Sequence, residues 1–369
     1  MLTRRDFAKG LGGSLALVSI HPLPAFSSSA AATFYGKTFV LDANTLSSAG
    51  QTPQAEQQDL LKAIRSSGVT VVKCTLGGAN GSYEETLADL GALEQLIEVW
   101  PDDLMSIRTA ADMNLARQNR KLGFIYSFEA VSMLEGKLDR IELFRRLGVR
   151  VMQLTYNRRS PFGAGCLEGE TGGLTDVGRE AIGKMNQLGV AVDLSHANTQ
   201  TTREGIAAST RPVIFSHAGC RAVYAHPRNK EDQDMKALAD KGGVMGIYML
   251  PFLTPSPQQP MLADYLRHME HALKVCGEDH VGVGSDTPFE TVMPPDIEAM
   301  RKEVEERKAA GVSAPGEDRP PYIPDLNTPR KMEFIADALL KRGYTTGTVE
   351  KILGSNFRRV LTEIWLTRS

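Results

Sequence analysis

Two histidines stand at the ends of matching apolar runs: Gly189–Leu194 leads into Ser195-His196, and Pro212–Phe215 leads into Ser216-His217. A histidine that ends a buried strand carries a neutral imidazole to the strand mouth, and imidazole is the commonest protein ligand for zinc-like metals. Glu129 follows the run Ile125–Phe128 in the same way. An unpaired carboxylate carried inward costs several kcal/mol or holds its proton, and a cation shared with the two imidazoles removes that cost. Two imidazoles and one carboxylate form a catalytic zinc set with an open position for water, whose pKa the metal lowers toward about 7. Asp286, in Gly284-Ser285-Asp286, is the candidate base for that water or the group that orients a substrate amine; capping a following helix is the alternative. Arg228, in His226-Pro227-Arg228-Asn229, could clamp a carboxylate bidentately or lie on the surface. His226 precedes a proline and suggests a turn, whereas His268, His271 and His280 fall on a helix and at a strand start and are set aside.

A recurring local pattern supplies the elements that must position these groups. Amphipathic segments end in glycine and lead at once into β-branched runs, as in Ser67–Val72, Leu122–Tyr126, Leu147–Val151, Leu188–Val192 and Gly242–Ile247. Glycine just past a helix end supplies the left-handed cap, and continuous apolar runs mark strands buried on both faces. With Thr38–Leu41, Pro212–Phe215 and His280–Gly284 there are eight strands, alternating with helical patterns such as Leu138–Leu147 and Asp176–Leu188. This alternation predicts a single-domain (β/α)8 TIM barrel of the α/β class, with a doubly wound open sheet as the alternative. Strand mouths then carry Asp42, Asn44, Cys74, Glu129, Tyr156, Asn157, His196, His217, Tyr248 and Asp286. The Pro- and Gly-rich stretch Ala309–Pro329 is a candidate lid over those mouths or a solvated connector.

The bulk of the chain restricts its partners. At 369 residues, 42% hydrophobic, 23% charged and a formal charge of −2, it offers no basic face for nucleic acid. Residues 1–32 read as a twin-arginine signal peptide: Arg4-Arg5-Asp6-Phe7 and Lys9, a weakly apolar run Gly10–Ile20, and a cleavage point between residues 25 and 32. That run is shorter than the ~20 apolar residues needed to span a bilayer, so no stable membrane anchor is expected. The twin-arginine export machinery is therefore an expected partner, the destination is periplasmic or secreted, and residues 33–369 form the barrel. Cys74, Cys166, Cys220 and Cys276 show no CxxC spacing for a zinc ribbon. Cys74 could be a thiolate ligand, a nucleophile, a buried apolar group or the disulfide partner of Cys166.

The chain resembles the membrane (renal) dipeptidase family of zinc-dependent barrel hydrolases, peptidase family M19, over roughly Gly36 to Trp365. The resemblance rests on Ser127-Phe128-Glu129-Ala130, Leu147–Arg150 with Leu154–Asn157, Gly173–Gly178, Met185–Gly189, Asp193–His196, Ser216-His217, Arg228-Asn229, Gly284–Asp286 and Gly354–Leu361. It implies a (β/α)8 fold, a bridging glutamate at Glu129, histidines of one metal at His196 and His217, a substrate-carboxylate arginine at Arg228, and an aspartate near the substrate amine at Asp286. Where the family pattern is Asp-Gly-His-x-Asp, this chain has Asp42-Ala43-Asn44-Thr45-Leu46, so the other metal loses two ligands. Tyr156 stands where the family carries a histidine that polarises the scissile carbonyl, and a phenol offers one hydrogen bond but no cation. The expectation is an exported metal-dependent hydrolase with one zinc ion held by Glu129, His196 and His217. Its substrate would be a dipeptide or small peptide-like amide, with Asp286, Glu129 and Tyr156 as catalytic groups and Arg228, Tyr156 and Asp286 meeting the substrate; a homodimer is possible. The same fold in a non-peptidase role is the alternative: a tailoring enzyme for an exported metabolite, or a non-catalytic binding protein.

Overall fold

The computed structural model describes residues 29–45, 52, 54–79 and 81–366. Ten strands share one sheet: β1 (Leu41–Thr45), β2 (Val71–Thr75), β3 (Leu104–Ser106), β4 (Leu122–Phe128), β5 (Val149–Gln153), β6 (Ala191–Asp193), β7 (Ile214–Cys220), β8 (Asn229–Lys230), β9 (Val244–Ile247) and β10 (Val281–Val283). The pairing path runs β1-β2-β4-β5-β6-β7-β9-β10, with β3 beside β4 and β8 beside β7. Every pairing is parallel, and helices intervene between the eight strands of the path. The chain is the expected (β/α)8 barrel. Residues 1–28 of the expected leader lie outside the described residues, and residues 29–32 begin the helix Ser29–Lys37.

Local chemistry explains the helix ends. The helix Asp176–Leu188 starts where Thr175 accepts from the Gly178 N–H and stops at Gly189, whose φ of 66° is left-handed. The Leu122-Gly123 step departs from the expected pattern. Arg120, at φ 57°, takes the left-handed cap, and Gly123 lies inside β4, where a Cβ would come within 2.4 Å of Ile107. The first strand begins later than Thr38–Leu41 because the Thr38 N–H and hydroxyl bond back to Tyr35 and Phe34 at the end of the preceding helix.

Period-2 alternation stratifies the barrel interior. Val71, Ile125, Val151, Ala191, Ile214 and Val244 form an apolar lower layer that the helix Asn356–Trp365 plugs through Phe357, Leu361 and Ile364. One step up, Lys73, Ser127, Gln153, Asp193 and Ser216 form a buried polar layer beneath the mouth. Gly246 and Gly284 press against the Ser216 carbonyl so closely that any Cβ there would lie 2.1 and 1.8 Å from its oxygen.

No backbone ladder joins β10 to β1 among the described residues, and side chains, with one backbone bond from the Asp286 N–H to the Asn44 carbonyl, close that seam. Asp42 Oδ1 accepts from the Ser285 N–H at 2.7 Å, its Oδ2 from the Ser285 hydroxyl at 2.5 Å, and Thr45 Oγ1 donates to the Thr287 carbonyl at 2.8 Å. Burial pushes the Asp42 carboxyl up from 3.8 to about 6. The folded state therefore keeps its proton where the unfolded chain has lost it, and this residue's contribution to stability falls as pH rises from about 4 to about 6. Replacing Asp42 by Ala should cost about 3 kcal/mol through lost charged hydrogen bonds. Asp42→Asn should flatten the dependence of melting temperature on pH across that window; an unchanged slope would contradict this account of the seam.

Candidate metal and catalytic site

The polar layer sets the histidines. Asp193 Oδ1 accepts from the Ser195 N–H and hydroxyl, and Asp193 Oδ2 accepts from the Ser216 hydroxyl. Because Ser216 gives its proton to Asp193, its oxygen accepts the Nδ1 proton of His217 at 2.8 Å. Asn157 Oδ1 accepts the Nδ1 proton of His196 at 2.8 Å. Both imidazoles thus present Nε2 lone pairs, and these face one another at 2.9 Å. The arrangement depends on an irregularity in β7, where Phe215 pairs with Met245 but Ala218 with Ile247, three steps against two. That bulge turns His217 to the mouth along with Ser216.

Two opposed lone pairs repel unless a positive centre lies between or beside them. Burial, with Arg228, Lys230 and the rest of the basic surroundings, drives the pKa of both imidazoles well below 6.5, so a bound proton is not that centre, and the Arg228 guanidinium, 3.0 Å from His196 Nε2, serves that ring alone. Glu129 Oε1 lies 3.7 Å from His217 Nε2, and single ligand atoms of Glu129, His196 and His217 all fall within 4.8 Å of one another. This donor set of two neutral imidazoles and a carboxylate fits a divalent metal ion. Asp193–Ser216 and Asn157 fix the ring tautomers from behind, as outer partners of metal-binding histidines do.

The first-strand side of the site holds no such set. β1 carries a bulge between Asp42 and Thr45 that aims Asn44 across the mouth. Its Nδ2 donates to Glu129 Oε1 at 2.6 Å and to Asp286 Oδ1 at 2.7 Å, so one neutral amide bridges two carboxylates. Leu46 lies outside the described residues. Lys73 rises from the polar layer, donating from Nζ to Ser127 Oγ at 3.2 Å, and its charge acts on both Asp286 and His217. The amide and the ammonium supply positive ends where Glu129 and Asp286 converge. Burial, then Glu129, push Asp286 up to about 7. Its backbone takes φ 55°, a strained conformation held by its N–H bond to the Asn44 carbonyl at 2.8 Å.

The remaining candidates are placed as follows. Arg228, 1% exposed, donates from Nη1 to the Ser195 carbonyl at 2.6 Å and from Nη2 to His196 Nε2 at 3.0 Å. Tyr156 stacks on His196 with ring centres 4.3 Å apart. Tyr248 donates its hydroxyl to Asn229 Oδ1, and its ring centre lies 5.8 Å from the Arg228 guanidinium carbon. Cys74 faces the helix layer, where burial pushes its thiol up to about 12, so neither a thiolate ligand nor a nucleophile is placed at the mouth. All four cysteines are free, which removes the Cys74–Cys166 disulfide. His226 stacks on Phe252 and bonds through Nε2 to the Pro315 carbonyl. His268, His271 and His280 bond to Leu253, Asp232 and Gly243, away from the site.

Residues 310–329 cover the mouth as a lid, joined to it by the helix Pro294–Ala309. Asn157 Nδ2 donates to the Val312 carbonyl at 2.9 Å, and Arg158 Nε to that of Gly311 at 2.7 Å. Sequence reasoning missed Lys73 and Arg307. A lysine alternating with Val71 and Thr75 on a buried strand was the available signal for the first. Arg307 sits on a charged helix and carried no signal.

Comparison with known proteins bears on this geometry. The sequence profile of the Membrane dipeptidase (Peptidase family M19) family matches residues 48–303. "Dipeptidase tcpJ" of Claviceps purpurea is 26% identical over 77% of this chain and 61% of its own length. The chain spans between 50% and 66% of the length of three such curated relatives. Among solved structures, an amidohydrolase from Pseudomonas aeruginosa superposes with TM-score 0.76 at 28% identity, over 91% of this chain and 99% of the other. A metallo peptidase from Rhodobacter sphaeroides, solved with a phosphinate mimic of the dipeptide L-Ala-D-Ala, superposes with TM-score 0.72 at 19% identity over 89% and 100%.

If Glu129, His196 and His217 hold a divalent ion, saturating metal at 100 times its Kd should stabilise the fold by about 2.7 kcal/mol. Thermal melts with and without added zinc, and after chelation, measure this. His217→Ala should abolish the shift, and a shift of undiminished size in that variant would rule out the assignment.

Proposed function

This chain belongs to the membrane dipeptidase family, and from that premise we propose that it is an exported hydrolase cleaving a dipeptide or small peptide-like amide with a single zinc ion. The observation that carries the single-ion reading is the Asn44 amide standing between Glu129 and Asp286 at 2.6 and 2.7 Å, where a second cation would otherwise be needed. Glu129, His196 and His217 would hold the ion, which when bound lowers the pKa of its water toward about 7 and polarises a carbonyl.

The protein's own groups do the rest. Asp286, raised to about 7, is poised to take a proton from the attacking water and return it to the leaving amine, because a base is most effective with a pKa near the working pH. Asn44 keeps that carboxylate facing Glu129. Arg228 donates to the His196 lone pair; once a metal takes that lone pair, Nη2 is free for a substrate carboxylate. The lid limits entry of bulk water. Export through the twin-arginine route to the periplasm or beyond is supported by the Arg4-Arg5 motif and apolar run within residues 1–32, and accords with a metal site loaded before transport.

The mature chain, isolated after export, should contain about one zinc ion and hydrolyse dipeptides. Asp286→Asn should lose about 10²- to 10⁴-fold in kcat while retaining its metal. Less than a trace of zinc per chain would overturn the single-ion reading. Full activity in Asp286→Asn would remove the proposed base.

A further inference from the structure

The lid helix Pro294–Ala309 sends one side chain back to the strand mouths. Arg307 Nη2 donates to the Tyr156 hydroxyl oxygen at 3.1 Å, and its guanidinium carbon lies 5.5 Å from the centre of that ring. The same nitrogen donates to Glu317 Oε1 at 2.7 Å, while Glu317 Oε2 accepts from the Ala314 N–H at 2.9 Å. The arginine is therefore held in place by the lid itself. Tyr156 in turn lies face to face on His196, at 21° between planes.

A phenol hydroxyl has one proton and two lone pairs. Arg307 fills a lone pair, and among the described residues the hydrogen bond at the Tyr156 hydroxyl is this accepted one, which leaves its proton to donate. It is free to be donated, from a ring that lies over a metal-binding imidazole. Hydrogen bonds fed by a full charge are roughly twice as strong as neutral ones, so an arginine behind the oxygen supplies the cationic character that a phenol alone lacks.

We infer that Tyr156 and Arg307 form the oxyanion-stabilising pair of this site, the phenol donating to the oxygen of the attacked carbonyl and the lid arginine polarising that donor. The inference rests on the hydrolase reading. As the water oxygen adds to the carbonyl carbon, the carbonyl π pair moves onto oxygen, and the Tyr156 hydrogen bond holds that charge without transferring its proton. The C–N bond then breaks with its electron pair on nitrogen, the oxyanion pair returns to the carbonyl, and both protons of the water end on the amine, the first by way of Asp286, giving a carboxylate and an ammonium group. Tyr156 is the catalytic residue. Arg307 is a positioning residue that acts through it, so the site is complete only with the lid in place.

The test compares wild type, Tyr156→Phe, Arg307→Met and the double variant in zinc-loaded full chain. Calorimetry gives the affinity for a phosphinate dipeptide analogue, whose tetrahedral oxygens mimic the oxyanion, and for the amino-acid products. Removing either partner should cost about 10²-fold in kcat and in phosphinate affinity. KM and product affinity should stay within about threefold, and the double variant should be no worse than the poorer single one. Zinc content and melting temperature should match wild type. Equal losses of phosphinate and product affinity, additive losses, or an unchanged phosphinate affinity would overturn the pair. Wild-type protein that neither turns over dipeptides nor binds the phosphinate would overturn the hydrolase reading and the pair together; an active wild type without these losses would overturn the pair alone.

Discussion

Two imidazole lone pairs held 2.9 Å apart in a buried site are the constraint around which this barrel is arranged. Left to itself the His217 ring would turn, because its nitrogen gains more from a donor than from another lone pair, whereas His196 Nε2 already accepts from Arg228 Nη2. Both rings are kept in place from behind, by Asp193 through Ser216 on one ring and by Asn157 on the other. Asp193 is fully buried and satisfied by four hydrogen bonds, two from Ser195 just after β6 and two from Ser216 in β7. A carboxylate satisfied in that way is stiff, and the stiffness passes to the metal-binding atoms.

Charge balance follows from the same arrangement. Glu129 and Asp286 bring two carboxylates toward a mouth already crowded by neutral histidines. The protein meets this repulsion with groups fixed to its own strands: the Asn44 amide between the carboxylates and the Lys73 ammonium in the layer below. Polar groups built into the strands thus supply part of the positive charge that the converging carboxylates require. Asp286 still carries a raised pKa, because a neutral amide offsets only part of its burial.

Much of this fold was legible. Asp176–Leu188 is a helix with the predicted limits because its cap residues, apolar periodicity and terminal glycine all agree. Glu129 and His196 come together because strand mouths in a parallel barrel point to one end, which follows from the β/α alternation. Other features were hidden. The bulges in β1 and β7 that aim Asn44 and His217 are register faults between strands, and a single strand's sequence does not contain its partner's register. Gly123 looked like a helix cap, yet it is a strand residue kept small by Ile107, from a different element.

By itself, then, the sequence determined which residues could bind a metal, that the strands are parallel and doubly buried, and that the first-strand ligands are absent. These are local or periodic properties, written in neighbouring residues. Only the tertiary structure decided what replaces those ligands and what completes the site. Asn44 lies 242 residues from Asp286, and Arg307 lies 151 residues from Tyr156. Such pairs meet through barrel closure and lid docking, where packing of distant elements, and no local pattern, sets which polar atoms face each other.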